Sequence, residues 1–371
     1  MKVGVPKEIK IQESRVGLTP ASVRELVHQG HEVIVETMAG HAIGLDDQEY
    51  EAAGAEIAQN AASVFATADL IVKVKEPQPS ERRLLRDGQV LFTYLHLAPD
   101  PEQAKDLMKS GVVAIAYETV TDPYGGLPLL TPMSEVAGRM AIQAGAHCLE
   151  LEQGGRGMLL GGVPGTPSAR VVILGGGVVG SNAARVAMGF EAHVAVIDKS
   201  LRRLQALDMQ FGSALNTVFS TVDAIEEHVL DADLVVGAVL IPGGSAPKLV
   251  TEEMVRNMKR GSVLVDVSID QGGCFETSRP TSHAEPTYKL HEVVHYCVAN
   301  MPGAVARTST FALNNATLPF VVALANRGYA QAMRDDAHLA NGLNVWKGRI
   351  TNAAVADAIG EPVWPVVKAL A

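Results

Sequence analysis

Short apolar runs alternate with segments of helical periodicity along most of the chain. The first series of runs is MKVGVP, HEVIVET, DLIVKVKE, VLFTYLHL and VVAIAYETV, with helical segments such as PASVRELVHQG and PEQAKDLMKSG between them. A second series begins near residue 169, with ARVVILGGG, AHVAVID, DLVVGAVLI, SVLVDVSID and VVHYCVANMP. Because this alternation is typical of βαβ units, it predicts an α/β fold with mostly parallel sheets. We expect two doubly wound, Rossmann-like domains with a cleft between them.

The segments between and after the two series are predicted to contain no strands. A helical stretch, MSEVAGRMAIQAGAHCLELEQ, separates the series, and the Gly- and Pro-rich segment EQGGRGMLLGGVPGTPS that follows is expected to be a loop. Beyond Pro302 the pattern is helical and too short for a third domain. We therefore expect this tail to return and pack on the first domain.

Two lysines interrupt the third apolar run. Lys73 and Lys75 are two residues apart, so both are predicted to lie on one face of a strand that ends at Glu76 and Pro77. A core strand has little reason to carry two ammonium groups. We interpret Lys73 as a rim or salt-bridge residue and Lys75 as a candidate ligand for an anionic substrate.

A GxGxxG motif opens the second series. The segment from Gly175 to Gly180 follows the predicted strand RVVIL and precedes a helical run, and the next strand, HVAVID, ends in Asp198. This context predicts a turn that holds a pyrophosphate at a helix N-terminus, with Asp198 accepting hydrogen bonds from the adenosine ribose. An acid there favours NAD over NADP. The cations that follow and could weaken this preference are Lys199, Arg202 and Arg203.

Length, charge and cysteine content narrow the class of protein. A chain of 371 residues is too long for one ordinary core, which supports two domains. The net charge is −10 without a basic stripe, so nucleic acid and anionic membranes are not expected partners. No apolar stretch approaches the roughly 18 residues of a transmembrane helix, and the N-terminus lacks a signal peptide's apolar region. Three cysteines without CxxC spacing suit a reducing cytoplasm.

Polar residues are expected at the carboxyl ends of several predicted strands, where ligands collect in open α/β sheets. They are Arg15, Lys75, His96, Glu118, Asp270 and Asn300, the last followed by Met301. Each alone is more often a cap, a satisfied core group or a solvated charge. Together, two cations suit a carboxylate, an imidazole suits proton transfer, and a carboxylate suits activation of water. The set is sufficient for oxidative deamination of an amino acid, or for oxidation of a hydroxy acid.

Long motifs resemble the bacterial alanine dehydrogenase family, also described as the alanine dehydrogenase/transhydrogenase N-terminal family, essentially from end to end. They are GVPKEIK with ESRVGLTP, VKVKEP, LFTYLHLA, AIAYETV, PMSEVAGRM, VILGGGVVG, DVSIDQGGC, and HYCVANMPGAV with TSTFALNN. The resemblance implies a cytoplasmic homohexamer that converts L-alanine, NAD and water to pyruvate, ammonium and NADH. It also implies a discontinuous substrate domain, residues 1–132 and 308–371, around an NAD-binding Rossmann domain, residues 133–307.

The resemblance also implies roles for particular residues. Arg15 and Lys75 would bind the substrate, and His96 and Asp270 would be the catalytic acid/base pair. The implied cofactor contacts are Ser134, Gly175, Gly177, Val178, Val179, Gly180, Asp198, Arg203, Ser220, Val239, Leu240, Val267, Ser268, Ile269, Asp270, Arg279, Val298, Ala299, Asn300 and Met301. Some members bind magnesium through a glutamate that corresponds to Glu118 and a histidine. The position of that histidine is occupied here by Arg327, a cation. We therefore expect no metal site.

Three alternatives stay open at this point. The chain could be the nucleotide-binding part of a proton-translocating transhydrogenase, in which Lys75 and His96 would have no substrate to bind. A saccharopine-type dehydrogenase would need a larger pocket. A protein that senses NAD without catalysis belongs to another functional class.

Overall fold

The computed structural model describes residues 1–239 and 246–371. By their internal contacts these residues form two compact units, Met1–Met133 with Val305–Ala371 (unit 1) and Ser134–Ala304 (unit 2). No helix within the described ranges is long and apolar enough to span a membrane. The predicted cofactor contact Leu240 lies outside the described residues.

The described residues of unit 1 form one eight-stranded sheet. In chain order its strands are β1 (Lys2–Val5), β2 (Glu32–Glu36), β3 (Glu56–Ala58), β4 (Leu70–Val72), β5 (Val90–Thr93), β6 (Val113–Ala116), β14 (Leu343–Trp346) and β15 (Arg349–Ile350). Across the sheet the order is β15-β14-β6-β5-β4-β1-β2-β3. From β6 to β3 every pair is parallel, so the carboxyl ends of these strands share one edge. The chain winds from β1 in both directions, as predicted for a doubly wound sheet.

Helices connect and cover these strands. They are α1 (Pro20–His28), α2 (Asp47–Ala52), α3 (Ala61–Thr67), α4 (Pro79–Arg82), α5 (Pro101–Ser110), α11 (Ala306–Asp335), α12 (Ala337–Ala340), α13 (Ala353–Ile359) and α14 (Val366–Leu370). Helix α1 illustrates their local signals, since Thr19 accepts a hydrogen bond from the Ser22 N–H and Pro20 occupies the first turn. Helix α11 is broken at Gly328, whose φ of 71° is not helical.

The prediction that strands stop beyond Pro302 is wrong. Strands β14 and β15 form a hairpin, and β14 pairs antiparallel with β6. The two turn residues, Lys347 and Gly348, have φ angles of 44° and 84°. A two-residue turn with both φ values positive matches the twist of a hairpin. The dipeptide Lys-Gly is a weak sequence signal for this turn, and each strand is short.

Unit 2 contains a second sheet, of seven strands among the described residues. They are β7 (Arg170–Leu174), β8 (His193–Asp198), β9 (Asn216–Phe219), β10 (Leu234–Gly237), β11 (Val263–Asp266), β12 (Thr287–Leu290) and β13 (Val293–Tyr296). The order is β12-β13-β11-β10-β7-β8-β9, with only β12 antiparallel within the described part. Its helices are α7 (Val178–Gly189), α8 (Leu201–Phe211), α9 (Val222–Leu230) and α10 (Glu252–Asn257), and α6 (Thr131–Cys148) begins at the division between the units.

The order of the second sheet creates a switch point. The chain leaves β7 toward β8 and β9, then returns to the other side of β7 to form β10, β11 and β13. The carboxyl ends of β7 and β10 therefore flank the position where ligands bind in open α/β sheets. Apolar side chains from both faces of these strands are buried. Both sheets confirm the predicted α/β class, and the Gly- and Pro-rich segment before β7 is a loop, as expected.

Candidate functional site

The loop after β1 carries a buried ion pair. Arg15 donates from Nε to Glu13 Oε1 at 2.7 Å and from an Nη atom to Glu13 Oε2 at 2.5 Å. Its other Nη lies 3.0 Å from the Met133 sulfur. Burial would raise the pKa of Glu13, but the hydrogen bonds and charge of Arg15 outweigh burial and lower that pKa to about 2. Glu13 thus binds one edge of the guanidinium that was expected to bind a substrate. The sequence analysis did not identify Glu13.

The two lysines after β4 have different environments. The strand ends at Val72, so the prediction that both lysines lie on one face of a strand is wrong. Lys73 is fully buried and forms salt bridges with Glu8 at 3.1 Å and Glu81 at 2.7 Å. It is a salt-bridge residue, as one of the two interpretations held, but it does not lie on a rim.

Lys75 is half-buried, and among the described residues its ammonium forms no salt bridge. Its Nζ lies 6.0 Å from the ring centroid of Tyr94, which follows β5. Burial lowers the pKa of Lys75 below its ordinary value, and the positive charge of Arg15 lowers it further. Burial and the charge of Arg15 both disfavour the protonated form of Lys75. A bound anion would stabilise that form, so Lys75 is suited to bind an anion.

His96 lies at the same edge of the sheet. Its ring stacks on Tyr94 with centroids 5.9 Å apart, and its side chain is 46% exposed, so part of the ring is accessible to a small molecule. Its backbone has a φ of 48°, which is uncommon for a residue with a Cβ. The Glu118 carboxylate accepts the His96 N–H at 2.6 Å and the Leu95 N–H at 3.2 Å, and so holds this conformation. Arg15, Lys75 and His96 are therefore grouped around Tyr94 in unit 1.

The glycine motif forms the turn between β7 and α7, as predicted. Gly175 has a φ of 100°, and a Cβ at Gly180 would lie 1.8 Å from the Gly175 carbonyl oxygen, so neither position accepts a side chain. A Cβ at Gly177 would meet no described atom within 4 Å, which leaves the space above the turn open. Gly177 is also the N-cap of α7, and no described side chain caps that helix. An open, uncapped helix N-terminus behind a glycine turn fits the pyrophosphate of a dinucleotide.

Asp198 supports this turn. Its Oδ2 accepts the Gly176 N–H at 2.7 Å and its Oδ1 accepts the Ser200 N–H at 2.7 Å. Arg203 donates from Nε to the Gly176 carbonyl oxygen. The acid that was predicted to bind a ribose therefore also fixes the turn, and Arg203 reaches the same peptide group.

The other predicted cofactor contacts lie mainly after the carboxyl ends of the strands of unit 2. Ser220 follows β9, Val239 follows β10, Val267–Asp270 follow β11, and Val298–Met301 follow β13, whereas Ser134 lies in α6 and Arg279 in a loop. Asp270 and Asn300 were expected at the ends of their strands, and this prediction is wrong. Strand β11 ends at Asp266 and β13 at Tyr296. Asp270 is exposed and lies in a short 3-10 turn.

A buried acid that the sequence analysis missed organises the loop after β11. Asp266 accepts hydrogen bonds from the Ser268 N–H at 3.0 Å, the Cys274 N–H at 2.9 Å and the Ser278 hydroxyl at 2.5 Å. Burial raises the pKa of Asp266, and these hydrogen bonds oppose that rise. The carboxylate closes the loop that presents Asp270.

Arg279 is held by an aromatic side chain. Its guanidinium lies 4.2 Å from the Tyr288 ring centroid, and its backbone N–H donates to the Tyr288 hydroxyl at 3.0 Å.

No group of three or more His, Cys, Asp or Glu side chains in the described ranges is arranged to hold a metal. Arg327 forms an ion pair with Asp335.

The chain matches known proteins over nearly its whole length. Two family models, Alanine dehydrogenase/PNT N-terminal domain and C-terminal domain, match residues 4–137 and 141–353. An alanine dehydrogenase of Halomonas elongata is 61% identical over 360 residues, 97% of each chain. A solved L-alanine dehydrogenase superposes with a TM-score of 0.95 at 53% identity, covering 97% of this chain and 99% of that one.

A transhydrogenase of Sinorhizobium meliloti superposes less closely. Its TM-score is 0.84 at 25% identity, and the match covers 95% of this chain and all of that one. Because the two family models together span most of the chain, and relatives are more than half identical over their full length, the chain belongs to the alanine dehydrogenase/PNT family.

Proposed function

We propose that the protein catalyses the reversible, NAD-dependent oxidative deamination of L-alanine to pyruvate and ammonium. The family and its alanine dehydrogenase relatives support this enzyme class. The observation that carries the proposal is the cluster in unit 1, where the ammonium of Lys75, without a salt bridge in the described structure, lies beside the charge of Arg15 and the Tyr94 and His96 rings. These groups supply the cations and the proton acceptor that an amino acid substrate requires.

The two cations have different tasks. Glu13 accepts two side-chain hydrogen bonds from Arg15, so the guanidinium is fixed before substrate arrives, with its other Nη beside Met133. A fixed cation orients a carboxylate at little cost in side-chain entropy. Lys75 then binds an oxygen of the carboxylate or carbonyl as a point charge. Pyruvate and alanine both carry the carboxylate, so both directions of the reaction use this pair.

His96 and Asp270 are assigned the proton transfers. Neutral His96 takes a proton from the substrate nitrogen or oxygen during deamination and returns one during amination. Asp270 orients the water that attacks the imine carbon. NAD, when bound, supplies the acceptor for the hydrogen removed from the α-carbon. The turn from Gly175 to Gly180 would hold its pyrophosphate, and the charge of Asp198 would disfavour the 2′-phosphate of NADP.

The division of labour between the units is part of the proposal. Residues 1–132 and 308–371 form the substrate domain, residues 133–307 bind NAD, and the enzyme works as a cytoplasmic homohexamer. The assembly is tested by light scattering after size-exclusion chromatography. A monomer at micromolar concentration would contradict it without affecting the catalytic assignment.

The decisive experiment mixes the purified protein with L-alanine and NAD and follows the absorbance of NADH. Alanine-dependent NADH formation is expected, together with pyruvate in equal amount. A transhydrogenase component or an NAD sensor would bind NADH but form none, and a saccharopine-type enzyme would form NADH from saccharopine and not from alanine. Absence of turnover with alanine, in protein that binds NADH, would refute the proposal.

A further inference from the structure

A buried ionic cluster lies beneath the segment that carries Lys75. It consists of Glu8 after β1, Lys73 after β4, and Glu81 in α4, and we call it the Lys73 cluster. Lys73 lies 3.1 Å from Glu8 Oε2 and 2.7 Å from Glu81 Oε1, and each of the three side chains is at most 2% exposed. None of the three is among the residues to which the proposed chemistry is assigned.

Charge balance does not explain the second carboxylate. Glu81 already pairs with Lys73, and its Oε2 accepts the Gln78 N–H at 2.7 Å. Glu8 adds a second negative charge at a buried position, where burial raises its pKa. Buried charges are expensive, and a buried ion pair is weak evidence for a gain in stability. The cost of Glu8 therefore calls for another role.

The other oxygen of Glu8 contacts the backbone that leads to Lys75. Its Oε1 accepts the Val74 N–H at 2.7 Å and the Lys75 N–H at 3.4 Å. On the opposite side, the Thr93 hydroxyl donates to the Lys75 carbonyl oxygen at 3.0 Å. The main chain of Lys75 is thus held from both sides, although its ammonium forms no salt bridge in the described structure.

We propose that Glu8 is a positioning residue for Lys75, which fixes the backbone of that lysine so that the ammonium meets the substrate. The proposal rests on the proposed function, in which Lys75 binds the substrate. Glu8 acts only through Lys75, so its contribution to substrate binding must vanish when the Lys75 side chain is absent. A residue that merely stabilises the fold would not show this dependence.

A double-mutant cycle between Glu8→Ala and Lys75→Ala tests the dependence. Glu8→Ala leaves Lys73 paired with Glu81, so the buried cluster keeps matched charges. Losing the acceptor for Val74 and Lys75 should raise KM for alanine and for pyruvate about tenfold, with a smaller change in kcat. In the Lys75→Ala background, Glu8→Ala should change kcat/KM by less than about twofold. The affinity for NADH should stay at the native value in every variant.

Two further variants keep the test decisive. If Glu8→Ala does not fold, Glu8→Asp retains the charge beside Lys73 but is too short to reach both partners, and the same cycle applies. Asp233→Ala is the matched control, because Asp233 is also buried between a cation, Arg156, and a backbone N–H, that of Arg170, at 2.8 Å each. Any loss that it causes should be the same with and without Lys75.

The outcomes separate the inference from the proposed function. If Glu8→Ala lowers kcat/KM by the same factor in both backgrounds, or lowers kcat at constant KM, Glu8 is structural and the inference is overturned. If Lys75→Ala keeps native kcat/KM for alanine, the assignment of Lys75 in the proposed function fails, and the inference fails with it. Loss with Lys75→Ala and no further loss on adding Glu8→Ala supports both.

Discussion

Replacing Glu13 by glutamine should destabilise unit 1 strongly. The Glu13 side chain is fully buried and that of Arg15 is 2% exposed, so the substitution removes the carboxylate charge that pairs with a buried guanidinium. The pKa of Glu13 falls from 4.5 to about 2 on folding. That fall corresponds to about 3 kcal/mol, since each tenfold change in proton affinity is worth about 1.4 kcal/mol. Breaking a buried ion pair by removing one partner typically costs about 3–5 kcal/mol, in agreement.

The sign of the pH dependence follows from the lowered pKa. A carboxyl group whose pKa is depressed by folding stabilises the protein above its ordinary pKa, 4.5, and this contribution is lost as the pH falls from there to about 2. The glutamine variant has no such contribution. The stability deficit of Glu13→Gln should therefore be about 3 kcal/mol near pH 7 and should shrink toward about pH 2.

Tryptophan fluorescence can follow this unit selectively. The chain has two tryptophans, Trp346 and Trp364, and both lie in unit 1. Near pH 7 we expect the unfolding midpoint of Glu13→Gln to be lower by about 10 °C, given about 2–4 °C per kcal/mol for a domain of this size. Glu25→Gln, the same change on the exposed face of α1, serves as the control. A Glu13→Gln deficit below about 1 kcal/mol, or one that stays constant on acidification, would refute the reasoning.

Further predictions concern the substrate and the cofactor. Because burial and Arg15 lower the pKa of Lys75, pyruvate affinity should fall with rising pH below pH 10.5, where an ordinary lysine loses its proton. The variant Lys75→Arg should abolish this fall. Titration with pyruvate, followed by NADH fluorescence, measures the affinity, and a native affinity that does not change with pH would contradict the prediction. Asp198→Asn should narrow the preference for NAD in kcat/KM, whereas equal native values with NAD and NADP would exclude the charge mechanism. His96→Gln should lose roughly 10²- to 10⁴-fold in kcat while keeping NADH affinity, and a loss below tenfold would move the proton transfer to another group.

Features set by local patterns could be predicted from the sequence. The strand before Gly175, the turn itself and the helix after it each carry their own signal within a few residues, and the structure has all three. The parallel strands of both sheets were predictable for the same reason, since strands buried on both faces are continuous apolar runs. Strands β3, β9, β12, β14 and β15 were missed because each is short, or polar on an exposed side.

Partners that are distant in sequence could not be predicted. Asp198 was identified from its place at the end of a strand, but its bond to Gly176 depends on two neighbouring strands meeting in register. Asp266 carries no motif, and its role appears only when the loop to Cys274 folds back over it. Glu13 is close to Arg15 in sequence, but only burial turns that nearness into a strong ion pair rather than a solvated one.

The two lysines after β4 show why residue type and spacing do not determine a role. Lys73 and Lys75 have the same side chain and share the sequence neighbour Val74. Two carboxylates lie beside Lys73. They outweigh the effect of burial and raise the pKa of Lys73, so its positive charge is paired inside the protein. Beside Lys75 the fold places Arg15 and an aromatic ring, and burial together with the charge of Arg15 lowers its pKa although Glu76 and Glu13 act in the opposite direction. An external anion would therefore stabilise the charge of Lys75, whereas the charge of Lys73 is already paired. Glu8 links the two residues, because it contacts the side chain of Lys73 and the backbone of Lys75.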